Sequence, residues 1–210
     1  MAGEKVNMDE VDDRLAKIYT FKGDKRAQYD QWAERYESDL VNDLGYVAHL
    51  RSGEIFHEVV TDKNTRVLDM GCGTGLVGET LKNLGYTRVD GADFSAAMLE
   101  IARRRGVYRA VRRHDITRPL AHGGDYDALI SVGLFSYGIP YISDLHNAVN
   151  CVGPGCPCVI TVNGGAWTEH NLAAALRDEA DRHGFTVEQI IETEYIRKEN
   201  INARVLVIRR

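Results

Sequence analysis

Residues 67–78 read VLDMGCGTGLVG. A short apolar run ends in a loop with glycines at 71, 73, 75 and 78. Such a run suits a buried strand, and glycines let the backbone come close to a ligand. The ligand this loop accepts therefore decides the reading of the whole chain. A nucleoside-triphosphate loop ends in Gly-Lys-Ser/Thr with its lysine on the phosphates. The first lysine after this loop is Lys82, so that reading fails. Gly73 to Gly78 does fit the G-x-G-x-x-G of dinucleotide sites. Asp93 follows about 20 residues after Gly73, at the end of a second strand-like stretch, where an acid takes ribose hydroxyls.

Asp69, two residues before the loop, shifts the balance. Beside a pyrophosphate it would set negative charge against negative charge. Beside an ammonium group it is favourable. S-adenosylmethionine (SAM) carries an ammonium, a sulfonium and an adenosine, and no phosphate. Asp69, the loop and Asp93 together suit it better than NAD. Asp115, in RRHDITRPL, follows a third strand and can accept the adenine amino group, and Phe94 can lie against the adenine ring. Each has a plain structural alternative: Asp69 as a turn cap, Asp115 as the start of a surface loop, Phe94 as core.

Outward from the loop, strand-like stretches alternate with helices: RVLDM, TRVDGAD, VYRAVRRHD, YDALISVG and CPCVITVN. The helix after the first carries Leu76, Val77, Thr80, Leu81 and Leu84 on one side and stops at Gly85. Ser95 is placed to cap the next helix, and Arg103, Arg104 and Arg105 close it where cations suit the dipole. Thr168 is placed to cap another that runs to His183 and stops at Gly184. The tail reads as two long strands around a polar turn. Residues 8–60 read as helices, with Tyr29, Trp32, Ala33, Tyr36 and Leu40 on one face and Asp30, Glu34 and Glu37 pointing elsewhere. The expected fold is α/β: a doubly wound, mostly parallel seven-stranded sheet with an N-terminal helical extension (1–60), a core (61–210) and a C-terminal antiparallel hairpin.

A chain of 210 residues, 44% of them hydrophobic, suits one domain. Lys and Arg number 26 against 31 Asp and Glu, a net charge of −5, which argues against a nucleic-acid partner. No apolar stretch approaches the roughly 18 residues of a membrane span, and the polar start lacks a secretory signal's apolar run. Cytoplasmic residence is the default. Cys151, Cys156 and Cys158 read C-x4-C-x-C with Cys72 far upstream, which matches no zinc spacing. Free thiols and no metal are expected.

VLDMGCGTG, DFSAAMLEIA and HDI resemble the first three motifs of class I SAM-dependent methyltransferases. More narrowly, YDQWAERYESDL, YDALISVGLFSYGIP and VGPGCPCVITVN resemble the methyltransferase-like proteins named after the Williams–Beuren syndrome region. The resemblance implies a Rossmann-like domain that uses SAM and releases S-adenosylhomocysteine. It implies that Gly71, Cys72 and Gly73 face the methionine part through their backbone. Asp93 then takes the ribose and Asp115 the adenine amine, with Met98 and Ile116 beside them. Ser131, Val132 and the residues to Leu134 run beneath the sulfonium, and Tyr29, Trp32 and Tyr36 fold over the cofactor. Simple helix packing is the alternative for Trp32 and Tyr36. The chain has SVGLFSYG in place of the Asn/Asp-Pro-Pro-Tyr of enzymes that methylate DNA or protein amides.

Methyl transfer needs alignment, exclusion of water and sometimes a base. His170, Tyr137 and Asn163 are the catalytic candidates, with His146 a weaker one. Phe135, Tyr137, Tyr141 and Trp167 suggest an aromatic lining for a small-molecule acceptor, O- or N-methylated. Two alternatives stand beside this: a non-catalytic SAM-binding regulator, and an RNA methyltransferase using the basic run from Arg103 to Arg113. An NAD-dependent oxidoreductase is a third. The oligomeric state is open.

Overall fold

The computed structural model describes residues 23–121, 124–137 and 140–210. The part of the helical reading that covers residues 8–22 lies outside them. Four of the expected strands lie side by side: β1 (Val67–Met70), β2 (Val89–Asp93), β4 (Ala128–Phe135) and β5 (Pro157–Asn163). β3 is shorter than expected, only Val111–Arg113. The hairpin is β6 (Thr186–Ile196) and β7 (Ile201–Arg209). The order is β3-β2-β1-β4-β5-β7-β6, parallel except for β7. The order reverses between β1 and β4, and the glycine loop leaves β1 there, where ligands bind in such sheets.

Alternation along each strand supplies two cores. Val67, Ile130, Val159 and Val205 face one side, with Phe56 and Leu81 packed on them. Leu68, Met70, Leu129, Ile160 and Leu206 face the other. The first side is covered by α2 (Ala48–Val59) and α3 (Leu76–Asn83). α2 is tied to the sheet through the buried Ser52 and Thr161 hydroxyls, 2.7 Å apart. The other layer includes α5 (Leu145–Val149) and α7 (Leu172–His183). α4 (Ala96–Arg105) follows β2; Ser95 Oγ caps it by accepting from Met98 N, and Gly106 closes it at φ +66°.

Two helical expectations are corrected. Thr168 caps nothing: α6 (Gly164–Glu169) ends one residue later, and α7 starts after Asn171, which takes a left-handed φ of 49°. The cap of α6 is Asn163, whose Oδ1 accepts from Ala166 N. The aromatic N-terminal face is not one continuous helix. α1 (Lys25–Trp32) passes into a 3-10 turn (Ala33–Arg35) and a π-helix (Ser38–Asp43). The aromatic side chains still meet, with Trp32 and Tyr36 rings 4.7 Å apart.

Tyr108, between α4 and β3, fixes how α3 sits. Its hydroxyl donates to Asp69 Oδ2 at 2.5 Å and accepts from Gly78 N at 3.2 Å. The ring fills the space a side chain at position 78 would need. Gly78→Ala should therefore cost about 1–3 kcal/mol through overpacking, read as a lower urea midpoint at unchanged slope.

Candidate functional site

The loop after β1 turns on backbone bonds to β2. Gly71 N and Cys72 N both donate to Ala92 O, at 2.7 and 3.0 Å. Gly71, Gly73 and Gly75 take φ of +77°, +52° and +101°, a region costly to residues with a side chain. Nothing lies within 4 Å of where a side chain on Gly73 would begin, so the loop leaves an open cradle.

Asp93 stands at the end of β2, 7% exposed, beside that cradle. Its Oδ2 accepts from Gly73 N and its Oδ1 from Ser95 N, both at 2.9 Å. Burial nevertheless pushes its carboxyl up to about 6. Asp69 is fully buried behind the loop; burial raises it to about 7 against the pull of the Tyr108 hydrogen bond. Its Oδ1 has no hydrogen-bond partner.

A cleft of about 780 Å³, including its open mouth, lies over the cradle. Of the residues expected there, Gly71, Gly73, Asp93, Phe94 and Met98 line it. So do Asp115, Ile116 and Val132, and Tyr29 and Tyr36 from the N-terminal segment. The Tyr29 and Phe94 rings meet at 5.8 Å. Asp115 also opens a loop, since its Oδ1 accepts from Thr117 N and Oγ1 at 3.1 and 2.8 Å. The surface-loop reading of that residue therefore holds, and the residue also lines the cleft. β4 bends beside the cleft: its register with β5 shifts between Ser131 and Phe135, and Gly133 takes φ +79°.

Four expected cofactor residues do not line the cleft. Trp32 spends its indole N–H on Asp39, at 2.7 Å, and packs on the core. Asp69, Cys72 and Ser131 are buried behind the wall. None of the three catalytic candidates lines it either. Asn163 is 1% exposed and caps α6. Tyr137 and His170 are brought together, ring centroids 5.9 Å apart, with His170 exposed. Phe135 and Trp167 belong to the core and Tyr141 is exposed, so with Tyr137 none of the four suggested acceptor aromatics lines the cleft.

Sequence reasoning missed Lys25, His114 and Pro140 in the cleft wall. His114 Nε2 is buried without a hydrogen-bond partner; its place beside Asp115 was the available signal. It also missed Arg105. Far from merely ending α4, Arg105 is only 18% exposed; its Nε donates to Thr74 O at 3.0 Å and its guanidinium pairs with Glu37 and Glu79. The acids on the far side of α1 are docked too. Asp30 Oδ1 accepts from Ser95 Oγ at 2.5 Å and Ala97 N at 3.2 Å, and Glu34 pairs with Arg104 at 3.0 Å.

Residues 67–155 match the methyltransferase domain family. Methyltransferase-like protein 27 of Homo sapiens is 32% identical over 114 residues, 52% of this chain and 46% of that protein. A ubiquinone biosynthesis O-methyltransferase of Klebsiella pneumoniae is 29% identical over 59% of this chain and 51% of its own length. The chain thus spans about half the length of the curated relatives it matches. Among solved structures, a TehB-like SAM-dependent methyltransferase of Corynebacterium glutamicum superposes with a TM-score of 0.60 at 20% identity, covering 86% of this chain and 97% of that one. Among the described residues no helix is long and apolar enough to cross a membrane.

The raised carboxyls predict a pH dependence. An unfolded aspartate titrates near 3.9. Below that pH both states hold the proton and there is no penalty. As pH rises toward about 7, the unfolded chain ionises freely while buried Asp69 and Asp93 resist, so stability falls. Melting temperatures of the ligand-free protein should drop from pH 5 to pH 8, and Asp69→Asn should flatten that slope. An equal slope in both proteins would refute the assignment. With its glycine cradle and sheet order, the chain has the Rossmann-like fold of the SAM-dependent methyltransferase from Corynebacterium glutamicum, and residues 67–155 are similar to the methyltransferase domain.

Proposed function

We propose that this domain transfers the methyl group of SAM to a small-molecule acceptor at oxygen or nitrogen. The observation that carries the reading is the charge of the cleft. Its wall presents Asp93 and Asp115 beside a glycine cradle, with Lys25 the one lysine or arginine among the lining residues. A pyrophosphate would meet these carboxylates, whereas ribose hydroxyls and an adenine amine are donors that carboxylates accept. Asp69 Oδ1, unpartnered just behind the loop, adds negative potential where the ammonium of the methionine part would lie. The small-molecule class is supported by the ubiquinone biosynthesis O-methyltransferases among the relatives.

The cofactor brings a methyl group already activated by the sulfonium charge. The chain's own residues then have to bind, orient and exclude water. Asp93 holds the ribose while Gly73 N keeps its carboxylate in place. Asp115 and Phe94 hold the adenine. Tyr29 and Tyr36 cover the site from α1 and the turn that follows, and covering it excludes water from the displacement. Tyr137 and His170 are proposed for the acceptor side, His170 as the base where the acceptor must lose a proton. Asn163 acts there only by fixing α6.

Calorimetry with SAM, S-adenosylhomocysteine and NAD tests the cofactor. Both sulfur ligands should bind and NAD should not. Asp93→Ala should weaken binding by about 1–3 kcal/mol, the cost of unpairing buried hydrogen-bonding groups. Binding of NAD without SAM would overturn the reading. Transfer of labelled methyl from SAM to catechols and other small phenols and amines tests the reaction, and SAM binding without transfer to any of them would favour a regulatory protein.

A further inference from the structure

The helix layer opposite α2 and α3 holds a cluster that the cleft does not use. Glu179 and His183 stand one turn apart on α7, and His146 faces them from α5. Glu179 is 4% exposed. Its Oε1 accepts from Arg182 Nη1 at 2.5 Å. Its Oε2 is buried and takes no hydrogen bond. That oxygen faces His183 Nε2 at 3.3 Å and His146 Nδ1 at 3.8 Å. A buried carboxylate oxygen left this way is costly unless a cation meets it.

We propose that His146, Glu179 and His183 form a binding site for a divalent first-row transition metal, with zinc as the occupant that suits the donors. Two imidazoles and one carboxylate are a common zinc set. One ligand atom from each residue lies within 4.8 Å of the other two. The edge of a zinc tetrahedron with bonds near 2.0–2.1 Å is about 3.3 Å, which is the separation of Glu179 Oε2 and His183 Nε2. Among the described residues no other group of three His, Cys, Asp or Glu side chains meets this closely.

The surroundings fit a metal that enters from solvent. The His146 and His183 side chains are 28% and 29% exposed, so an ion has a path and the rings have room to turn. They now stack at 4.1 Å and 6°. A shared ion requires one ring to rotate out of that stack, because parallel rings cannot both aim a lone pair at one point. His146 Nδ1 lies 2.8 Å from Ser143 O. The Nδ1 that faces Glu179 Oε2 is thus held by a carbonyl in the empty site, and His146 is the ring that turns on binding, giving up that contact to aim a lone pair at the ion. Arg182 stays on the other carboxylate oxygen, leaving Oε2 as a single-atom ligand and the fourth position to water. The ion would tie α5 to α7. None of the three residues lines the cleft, so the site is structural and stands apart from methyl transfer.

The 210-residue chain, stripped with a chelator and kept in a non-thiol reductant, is titrated with zinc chloride and with cobalt chloride. One ion per chain should bind, raise the melting temperature and, for cobalt, give the visible bands of a four-coordinate nitrogen–oxygen site. Glu179→Gln should weaken zinc at least tenfold, and His146→Asn and His183→Asn, at positions more exposed than Glu179, should do the same without risk to the core. Melting of each variant in chelator shows that it folds. The proposal fails if the wild-type protein binds neither ion, or if the folded variants bind as tightly as wild type. It also fails if cobalt gives the near-ultraviolet band of thiolate ligation, since the ion would then sit on cysteine.

Discussion

One carboxylate joins the parts that make the site. Asp93 accepts from the Gly73 amide on one side and the Ser95 amide on the other, so the glycine loop and the start of α4 are set by the same group. Ser95 passes the constraint outward: its hydroxyl caps α4 and donates to Asp30 of the N-terminal segment. Loop, sheet end, helix and cover are thus linked through hydrogen bonds that begin on one buried side chain. Removing it would leave two amides without acceptors.

Arg105 makes a second link in parallel. It reaches from the last turn of α4 to the Thr74 carbonyl in the loop and to Glu37 in the N-terminal segment. An ion pair so largely shielded from water is worth more than an exposed one, and it crosses from the cradle to the cover. The cover is therefore anchored on α4 by Asp30, Glu34 and Glu37, while its aromatic side faces the cleft and the core. Both faces of that segment have partners, along a path that passes from α-helical into 3-10 and π turns.

What the sequence made legible was local. The alternation of strands and helices, the glycine loop, Ser95 as a cap and Gly85 as a stop are set by spacing within a few residues, and all are found. Asp93, Asp115, Phe94, Tyr29 and Tyr36 were found because each sits at a strand end or on a helical face that topology brings to the crevice. Tyr108 and the partners of Arg105 were not legible, because each depends on a contact across many residues that no periodicity marks. Thr168 failed for a related reason: Asn163 and Asn171 both supply helix starts nearby, and the backbone chose them. The bend in β4 at Gly133 was hidden for want of a partner strand to compare.

Asp69 shows what the fold gives up for its chemistry. A carboxylate with one oxygen bonded to Tyr108 and the other bare is a poor choice for stability alone, and an asparagine or leucine would sit there at less cost. Under the proposed function, its place behind the cradle is explained by charge. Asp69 and Asp93 together make the end of the β1–β2 crevice negative, and burial keeps water from screening them. A cationic ligand bound there would lower both carboxyls toward their ordinary range, and the energy withheld from the empty protein would return when the cleft is filled. Stability and ligand affinity are in this way two readings of the same buried charge.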